Sequence, residues 1–414
     1  MSNYDALIIG AGAAGLIAAK ELESYHLKVL VIDAADRVGG RLRTDKVDGF
    51  TLDHGFQVLL NAYPMVKKHL DVEALNLKAF KAGAFCFNGQ DHFLVEDVNR
   101  KATAYLRMAF SPVGSIWDKL KLAKLRKEVL AKSDEAIFSE TETSTLDYLK
   151  KRGFSDKIIS SFFKPFFGGI FLEDELATSC RQFQFIFKMF ALGEATIPES
   201  GIEAIAKQLK SQLTTSQFRL NARVKEVRKG EVELSDGEVI RAKQIIIATD
   251  PSEIYPQLVQ DISWNETQQY YFSAPKSPFP KAYITLSIAK ESLLNNIAVL
   301  SDVAASYAPK GQHLISVSIK CQKAKSDNEI EEAIRSELKK AGFDSVNEWK
   351  IIRNFKIRKA LPRITNNAYS RPFEESRLTE GIYLAGDQML NPSLNAAMIS
   401  GELAAKALIL NHSN

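Results

Sequence analysis

An α/β fold is predicted by three features of this sequence. The apolar run Tyr4-Asp5-Ala6-Leu7-Ile8-Ile9 feeds directly into Gly10-Ala11-Gly12-Ala13-Ala14-Gly15. Leu16, Ala18, Ala19 and Leu22 then share one helical face, and residues 28–32 form the next strand, which ends at Asp33. Near the other end, residues 381–387 supply a further strand and acidic loop, followed by a helical stretch over 395–410. Strand, glycine turn, helix and strand in this order and length are what a dinucleotide site requires, so the two ends are read as a Rossmann-like cofactor domain. The mixture of strands and helices between them is read as an interleaved α+β substrate domain.

Each glycine of the first turn has its own physical task. Gly10 permits the tight turn, Gly12 removes the side chain that would hold a pyrophosphate off the backbone, and Gly15 lets the helix approach the sheet. Free N–H groups at the helix start, around Ala13 and Ala14, receive phosphate charge. Asp33, followed by Ala34, lies eighteen residues beyond Gly15, near the offset at which an acid accepts hydrogen bonds from an adenosine ribose. An acid there disfavours a ribose carrying a further phosphate. A nicotinamide cofactor fits this much, and so does a glycine turn without any dinucleotide.

The next stretch separates the cofactors. Arg37-Val38-Gly39-Gly40-Arg41-Leu42-Arg43-Thr44, with Phe50-Thr51-Leu52-Asp53-His54-Gly55, resembles the start of the flavoprotein superfamily of amine oxidases, protoporphyrinogen oxidases and phytoene desaturases. The resemblance implies FAD, with Gly39, Gly40, Arg41 and Arg43 against its pyrophosphate region. Adjacent glycines flanked by arginines are independently suited to an anion-facing loop or to a basic surface turn. On this reading residues 1–63, 201–250 and 371–414 form the FAD-binding domain, and residues 64–200 and 251–370 the substrate domain.

Composition narrows the class. The chain has 414 residues, 45% of them hydrophobic and 25% charged, as in an ordinary folded protein. A net charge of +4 without a basic and aromatic repeat gives no case for nucleic acid. Cys86, Cys180 and Cys321 are far apart, so no metal or redox pair is expected and a reducing, cytoplasmic setting is the simpler assignment. The six histidines are scattered; His54 is read either as a flavin neighbour or as structural. A processed leader would remove the glycine turn, and no apolar run is long enough to span a bilayer.

Along the chain, residues 84–95 read as strand, glycine turn and strand. Residues 101–132 read as mainly helical, with eight Lys or Arg against two Asp or Glu and large apolar groups between them, among them Ile116, Trp117, Leu120, Leu122 and Leu125. Such a stretch is either a peripheral membrane contact or a core-facing helix with a basic outer face. A helix capped near Ser144 or Thr145 reaches Arg152. Phe162-Phe163-Lys164-Pro165-Phe166-Phe167-Gly168-Gly169-Ile170-Phe171 is read near a turn, as pocket lining or as core packing.

From Gly201 the chain is expected to return to the cofactor domain. Residues 202–209 form a helix, 218–227 a strand, 235–238 a turn, and 244–250 a strand entering a cofactor-facing loop. The resemblance gives the backbone of Val224 to adenine recognition. It tips the stretch from Phe162 to Leu176, with residues 187–193 and 197–201, towards the phytoene-desaturase branch. Lys281 opens an alternating strand over 281–288 and is read as either a flavin neighbour or an exposed lysine. Residues 330–341 read as an amphipathic helix and 351–357 as a strand.

At the end, the resemblance places Gly386 and Asp387 beside the ribityl chain, with Asn395, Ala396 and Ala397 opening a helix aimed at the isoalloxazine carbonyl region. A helix N-terminus there stabilises negative charge on reduced flavin by about 0.3–2 kcal/mol. The tail lacks a cysteine for covalent attachment, so noncovalent FAD is expected. Leu390, where an amine oxidase has an aromatic cage residue, weakens an amine substrate. The expected activity is therefore dehydrogenation of an apolar small molecule, of carotenoid or isoprenoid type, with a separate electron acceptor. The alternatives are a flavin amine oxidase and a noncatalytic lipid- or protein-binding relative.

Overall fold

The computed structural model describes residues 4–96, 113–258, 262–289, 291–321 and 325–412, so the first part of the helical stretch expected over 101–132 lies outside the described residues and the rest is the helix Ile116–Ala131. Strand Tyr4–Ile9 sits inside an eight-stranded sheet, with parallel neighbours Val29–Ile32 and Val239–Ile247. Gln217–Arg219 and Ile382–Leu384 continue the parallel order on either side. A parallel centre is covered on both faces, which is why its strands read as unbroken apolar runs. The helix Ala13–Ser24 crosses between the first two strands and packs against the closing helix Leu394–His412. Their approach is close enough that a Cβ on Gly401 would lie 2.3 Å from the Ala14 carbonyl oxygen.

This sheet draws its strands from residues 4–32, 217–247 and 377–384. A second, seven-stranded sheet draws on residues 83–96 and 264–362. Its order is Lys350–Pro362, Trp264–Ala274, His313–Ile319, Leu294–Val299, Ile284–Ser287, Gly83–Asn88 and Asp91–Glu96, antiparallel except where Ile284–Ser287 meets Gly83–Asn88. The helix Asp327–Lys340 covers its outer face through Ile330, Ile334 and Leu338, and a Ser326/Glu329 capping box fixes where that helix starts. A helical layer holding Ile116–Ala131, Thr145–Lys151, Lys164–Phe171 and Cys180–Leu192 packs around the fully buried rings of Phe163, Phe167 and Phe183.

Asp53 ends the two-stranded sheet of Thr44–Val47 and Phe50–Asp53 and ties it to the seven-stranded one. Its carboxylate accepts hydrogen bonds from Thr44 Oγ1 at 2.6 Å, the Ile202 N–H at 2.9 Å and the Tyr307 hydroxyl at 2.9 Å, while its backbone carbonyl accepts from the Tyr271 hydroxyl at 2.8 Å. Burial outweighs these donors and pushes its pKa up to about 6.

Three local expectations differ from the structure. The strand expected over 218–227 is two strands, Gln217–Arg219 and Val224–Arg228, because Asn221 turns left-handed at φ 56° and donates its N–H to the Ala35 carbonyl. The aromatic stretch near a turn is a π-helical turn running into the helix Lys164–Phe171, so Pro165, Gly168 and Gly169 are helical. Pro165 follows that π-helical turn within a run that is helical from Asp156, and the widened turn accommodates a residue with no N–H to donate. The strand expected from Lys281 begins only at Ile284, after Ala282 breaks it at φ 62°.

Candidate functional site

The glycine turn is built as its local chemistry demands. Gly10 has φ 109°, and a Cβ on Gly15 would lie 1.9 Å from the Gly10 carbonyl oxygen, so the helix rests directly on the turn. Gly12 differs: an added Cβ would meet only the Gly39 carbonyl oxygen, at 4.0 Å, and otherwise points into open space. The second glycine pair lies against the first, with the Gly39 N–H donating to the Ala11 carbonyl at 2.8 Å. Asp33 accepts from the Ala11 N–H at 2.7 Å and the Ala35 N–H at 2.8 Å, and a carboxylate keeps further lone pairs beyond those two.

Arg41 reaches across the chain to its far end. Its guanidinium forms a two-pronged bond to Asp387, at 2.9 and 2.5 Å, and donates to the Ala360 carbonyl at 3.0 Å. Asp387 is almost fully buried, whereas the arginine keeps one edge in solvent. Between these elements runs a cavity of about 510 Å³ whose wall includes Gly10, Gly12, Ala13, Ala14, Asp33, Gly39, Gly40, Arg41, Gly386, Asp387 and Ala397. Gly15, Ala34, Arg43, Val224, Asn395 and Ala396 lie outside that wall. Arg43 instead pairs with Asp36 at 3.0 Å, Val224 pairs in a strand with Leu234, and the Asn395 side chain accepts the Met65 N–H at 3.0 Å. The Ser393 hydroxyl accepts the Ala396 N–H at 3.0 Å and so opens the closing helix.

Several wall residues carry chemistry. His54 lies in the wall with Nε2 bonded to Asp45 at 3.0 Å, and burial lowers its pKa despite that carboxylate. Lys359, which the sequence did not single out, donates to Asp250 at 2.6 Å; burial raises the Asp250 pKa, but bonds from Lys359 and Ser252 leave it net lowered. Lys281 is exposed and outside the wall, so Lys359 is the lysine of this cavity. Leu390 is buried elsewhere, and Gln388 takes the wall position beside Asp387. Cys86 and Cys180 are free thiols, the Cys321 thiol donates to Glu266 at 3.5 Å, and all three lie outside the wall. Among the described residues one group, Glu21, His69 and Glu402, gathers metal-ligand atoms within 4.8 Å. It lies outside the wall, and Lys68 pairs with the same Glu402 carboxylate.

A second cavity of about 450 Å³ abuts the first, and Phe166, Phe190 and Ile284 belong to both walls. Its lining is mainly apolar and includes Phe80, Phe162, Phe187 and, from the helix Ile116–Ala131, Ile116, Leu120 and Leu122. Ile116, Trp117 and Leu120 are more than half exposed on that helix.

Residues 13–409 match the family described as flavin containing amine oxidoreductase. The chain belongs to that family. This oxidoreductase is 24% identical over 466 residues to the 15-cis-phytoene desaturase of Solanum lycopersicum, covering 98% of this chain and 78% of that protein. In fold it is similar to an oxidoreductase from Methanosarcina mazei, at 14% identity and a TM-score of 0.68 over 99% of this chain and 100% of that one. It is likewise similar to putrescine oxidase solved with putrescine, at 16% identity and a TM-score of 0.69 over 98% of this chain and 99% of that one.

The cofactor of this oxidoreductase is FAD, and the residues present fit it. The open side of Gly12, the helix N-terminus beyond it and the Asp33 carboxylate form one end of an elongated cavity, and Gly386, Asp387 and the opening of the closing helix form the other.

Proposed function

We propose that this flavin-dependent oxidoreductase dehydrogenates an apolar small molecule of isoprenoid or carotenoid type, with its FAD held noncovalently. The observation that carries the reading is the apolar second cavity sharing Phe166, Phe190 and Ile284 with the cofactor cavity. The 98% coverage by a phytoene desaturase supports the same substrate class. When bound, FAD supplies the two-electron sink for a hydride leaving substrate carbon and passes the electrons to a separate acceptor.

The protein's share is confinement and charge placement. Gly10, Gly12, Asp33, Gly39, Gly40 and Arg41 hold the dinucleotide end, Gly15 seats the helix on the turn behind it, and Gly386, Asp387 and Ala397 hold the ring end. Among the described wall residues, the carboxylates of Asp33, Asp250 and Asp387 and the imidazole of His54 are each engaged by a donor or acceptor of the protein. None of these engaged groups is assigned as the base, and the proton lost from the substrate carbon passes to water.

Access is proposed to come from a membrane surface. The exposed Ile116, Trp117 and Leu120 lie beside Lys119, Lys121, Lys124 and Lys127 on one helix, the arrangement of an interfacial segment. Among the described residues no helix is long and apolar enough to cross a membrane.

The test is anaerobic reduction of the flavin by candidate substrates, followed by product analysis. A new carbon–carbon double bond is expected. Formation of imine or aldehyde would assign an amine oxidase, and partner capture without any flavin reduction would mark a noncatalytic binding protein.

A further inference from the structure

The inner face of the seven-stranded sheet changes character along its width. In strands Trp264–Ala274, Leu294–Val299 and His313–Ile319, one set of alternate side chains, including Tyr270, Phe272, Ile297 and Val317, packs into the core beneath helix Asp327–Lys340. The other set carries Tyr271, Ala298 and Leu314 into the larger core and, beside them, polar side chains: Thr267 and Gln269 from the first strand, Asn296 from the second, and Ser316 and Ser318 from the third. All five are buried, and Thr267, Asn296 and Ser318 reach the cofactor cavity wall. In the next strand, Ile284 and Leu286 face the same cavity, and Ile284 with Ala84 continues into the apolar one. Polarity therefore falls along the sheet from the Thr267–Ser318 corner towards the Phe166–Phe190 neck.

The polar corner is uncharged and incompletely paired. Thr267 Oγ1 lies 3.2 Å from Ser318 Oγ, and the amide oxygen of Asn296 is buried with no hydrogen-bond partner. From the opposite wall, Gln182 donates to the Pro392 carbonyl at 3.4 Å, and its own amide oxygen is also buried and unpartnered. The helix facing the corner carries Gly169, where a Cβ would come within 3.1 Å of Asn295 Oδ1 and 3.8 Å of Asn296 Nδ2. A wall for a pure hydrocarbon has no use for four neutral polar side chains, whereas buried unpaired acceptors are a cost that a ligand donor relieves. A primary amide presents either its oxygen or its NH₂ after a half-turn, so Asn296 and Gln182 can meet a donor or an acceptor.

We propose that the substrate is a neutral amphiphile: an apolar chain lies through the Phe166–Phe190–Ile284 neck, and a hydroxyl or carbonyl is held by Thr267, Ser318, Asn296 and Gln182. This rests on the reading of the apolar cavity as the substrate site, with the polar corner as the part of the cofactor cavity where that substrate meets the flavin. These four side chains are neutral, so the corner itself supplies no counter-charge and a carboxylate or ammonium head is disfavoured there.

The experiment titrates FAD-loaded protein with farnesol, with the matching hydrocarbon farnesene, and with farnesylamine and farnesoate. Binding is read by perturbation of the flavin spectrum and by displacement of a fluorescent apolar probe. Farnesol is expected to bind at least about tenfold more tightly than the other three, as expected of a site built to hydrogen-bond a hydroxyl. The near-isosteric double variant Thr267→Val with Ser318→Ala, and separately Asn296→Leu, should bring farnesol to within about twofold of farnesene with farnesene unchanged. Equal wild-type affinities for alcohol and hydrocarbon, tighter binding of amine or acid, or an alcohol preference that survives both variants would overturn the head-group assignment and leave the apolar cavity standing. Failure of all four ligands to bind would overturn the apolar-substrate reading itself.

Discussion

Replacing Asp53 by asparagine is expected to change how stability depends on pH, and the size of the change follows from the site. Burial raises the folded-state pKa of Asp53 from 3.8 to about 6. Because the folded protein favours the protonated acid, the stability it contributes is complete below the unfolded value and is lost as pH rises through about 6. Two pKa units correspond to about 3 kcal/mol. The substituted amide does not titrate, so the variant avoids that loss. Its NH₂ group would face one of the donors Thr44, Ile202 or Tyr307, a constant cost of about 1–3 kcal/mol at every pH. The variant therefore starts less stable at pH 4 and recovers about 3 kcal/mol relative to wild type by pH 7.5, an amount that corresponds to roughly 3–4 °C in Tm for a chain this long. Thermal unfolding of both proteins, at equal FAD saturation and in pH steps, reads this directly. Parallel curves, or a wild type that gains on the variant as pH rises, would refute the assignment of a buried carboxylate poised near neutrality.

Other substitutions address other links. Gly12→Asp should weaken FAD binding at least about tenfold by titration, because bulk and negative charge enter the space meant for a pyrophosphate. Gly15→Ala should lower Tm through about 1–3 kcal/mol of overpacking, since its methyl would fall on the Gly10 carbonyl. Arg41→Leu leaves the buried Asp387 without its partner and should cost about 2 kcal/mol by denaturant unfolding, a figure reduced from the fully buried case because the guanidinium is partly exposed. Glutamates at Lys119, Lys121, Lys124 and Lys127 together should abolish sedimentation with anionic liposomes, each lysine contributing about 1 kcal/mol, while FAD content stays unchanged.

Local features are the ones legible in the sequence. The turn at Gly10, the contact made by Gly15 and the position of Asp33 follow from chain sterics over thirty-odd residues, and spacing alone exposes them. The hairpin around Gly89, the cap at Ser144 and the closing helix are likewise short-range. Contacts that depend on distant segments are not legible. Nothing near Arg41 indicates that Asp387 receives it, and nothing near Lys359 indicates Asp250. Glycine and proline propensities point the aromatic stretch away from helix and towards a turn, yet burial of Phe163 and Phe167 overrides them. The alternation from Lys281 carries no sign of the left-handed Ala282 that delays the strand. The apolar second cavity joins residues from six separate stretches, and no periodicity in any one of them reveals it.

The clasp between Arg41 and Asp387 also sets a timetable for biosynthesis. Strand Tyr4–Ile9 leaves the ribosome well before its neighbours Val239–Ile247 and Ile382–Leu384, so its sheet stays incomplete until the intervening chain has been made. A nascent polypeptide halted before Asp387 holds half a cradle with an unmatched guanidinium, so the cofactor is captured only as synthesis nears the closing helix. A chain without the closing elements keeps only part of the cofactor wall and so forgoes the stabilisation that ligand binding confers on the native state.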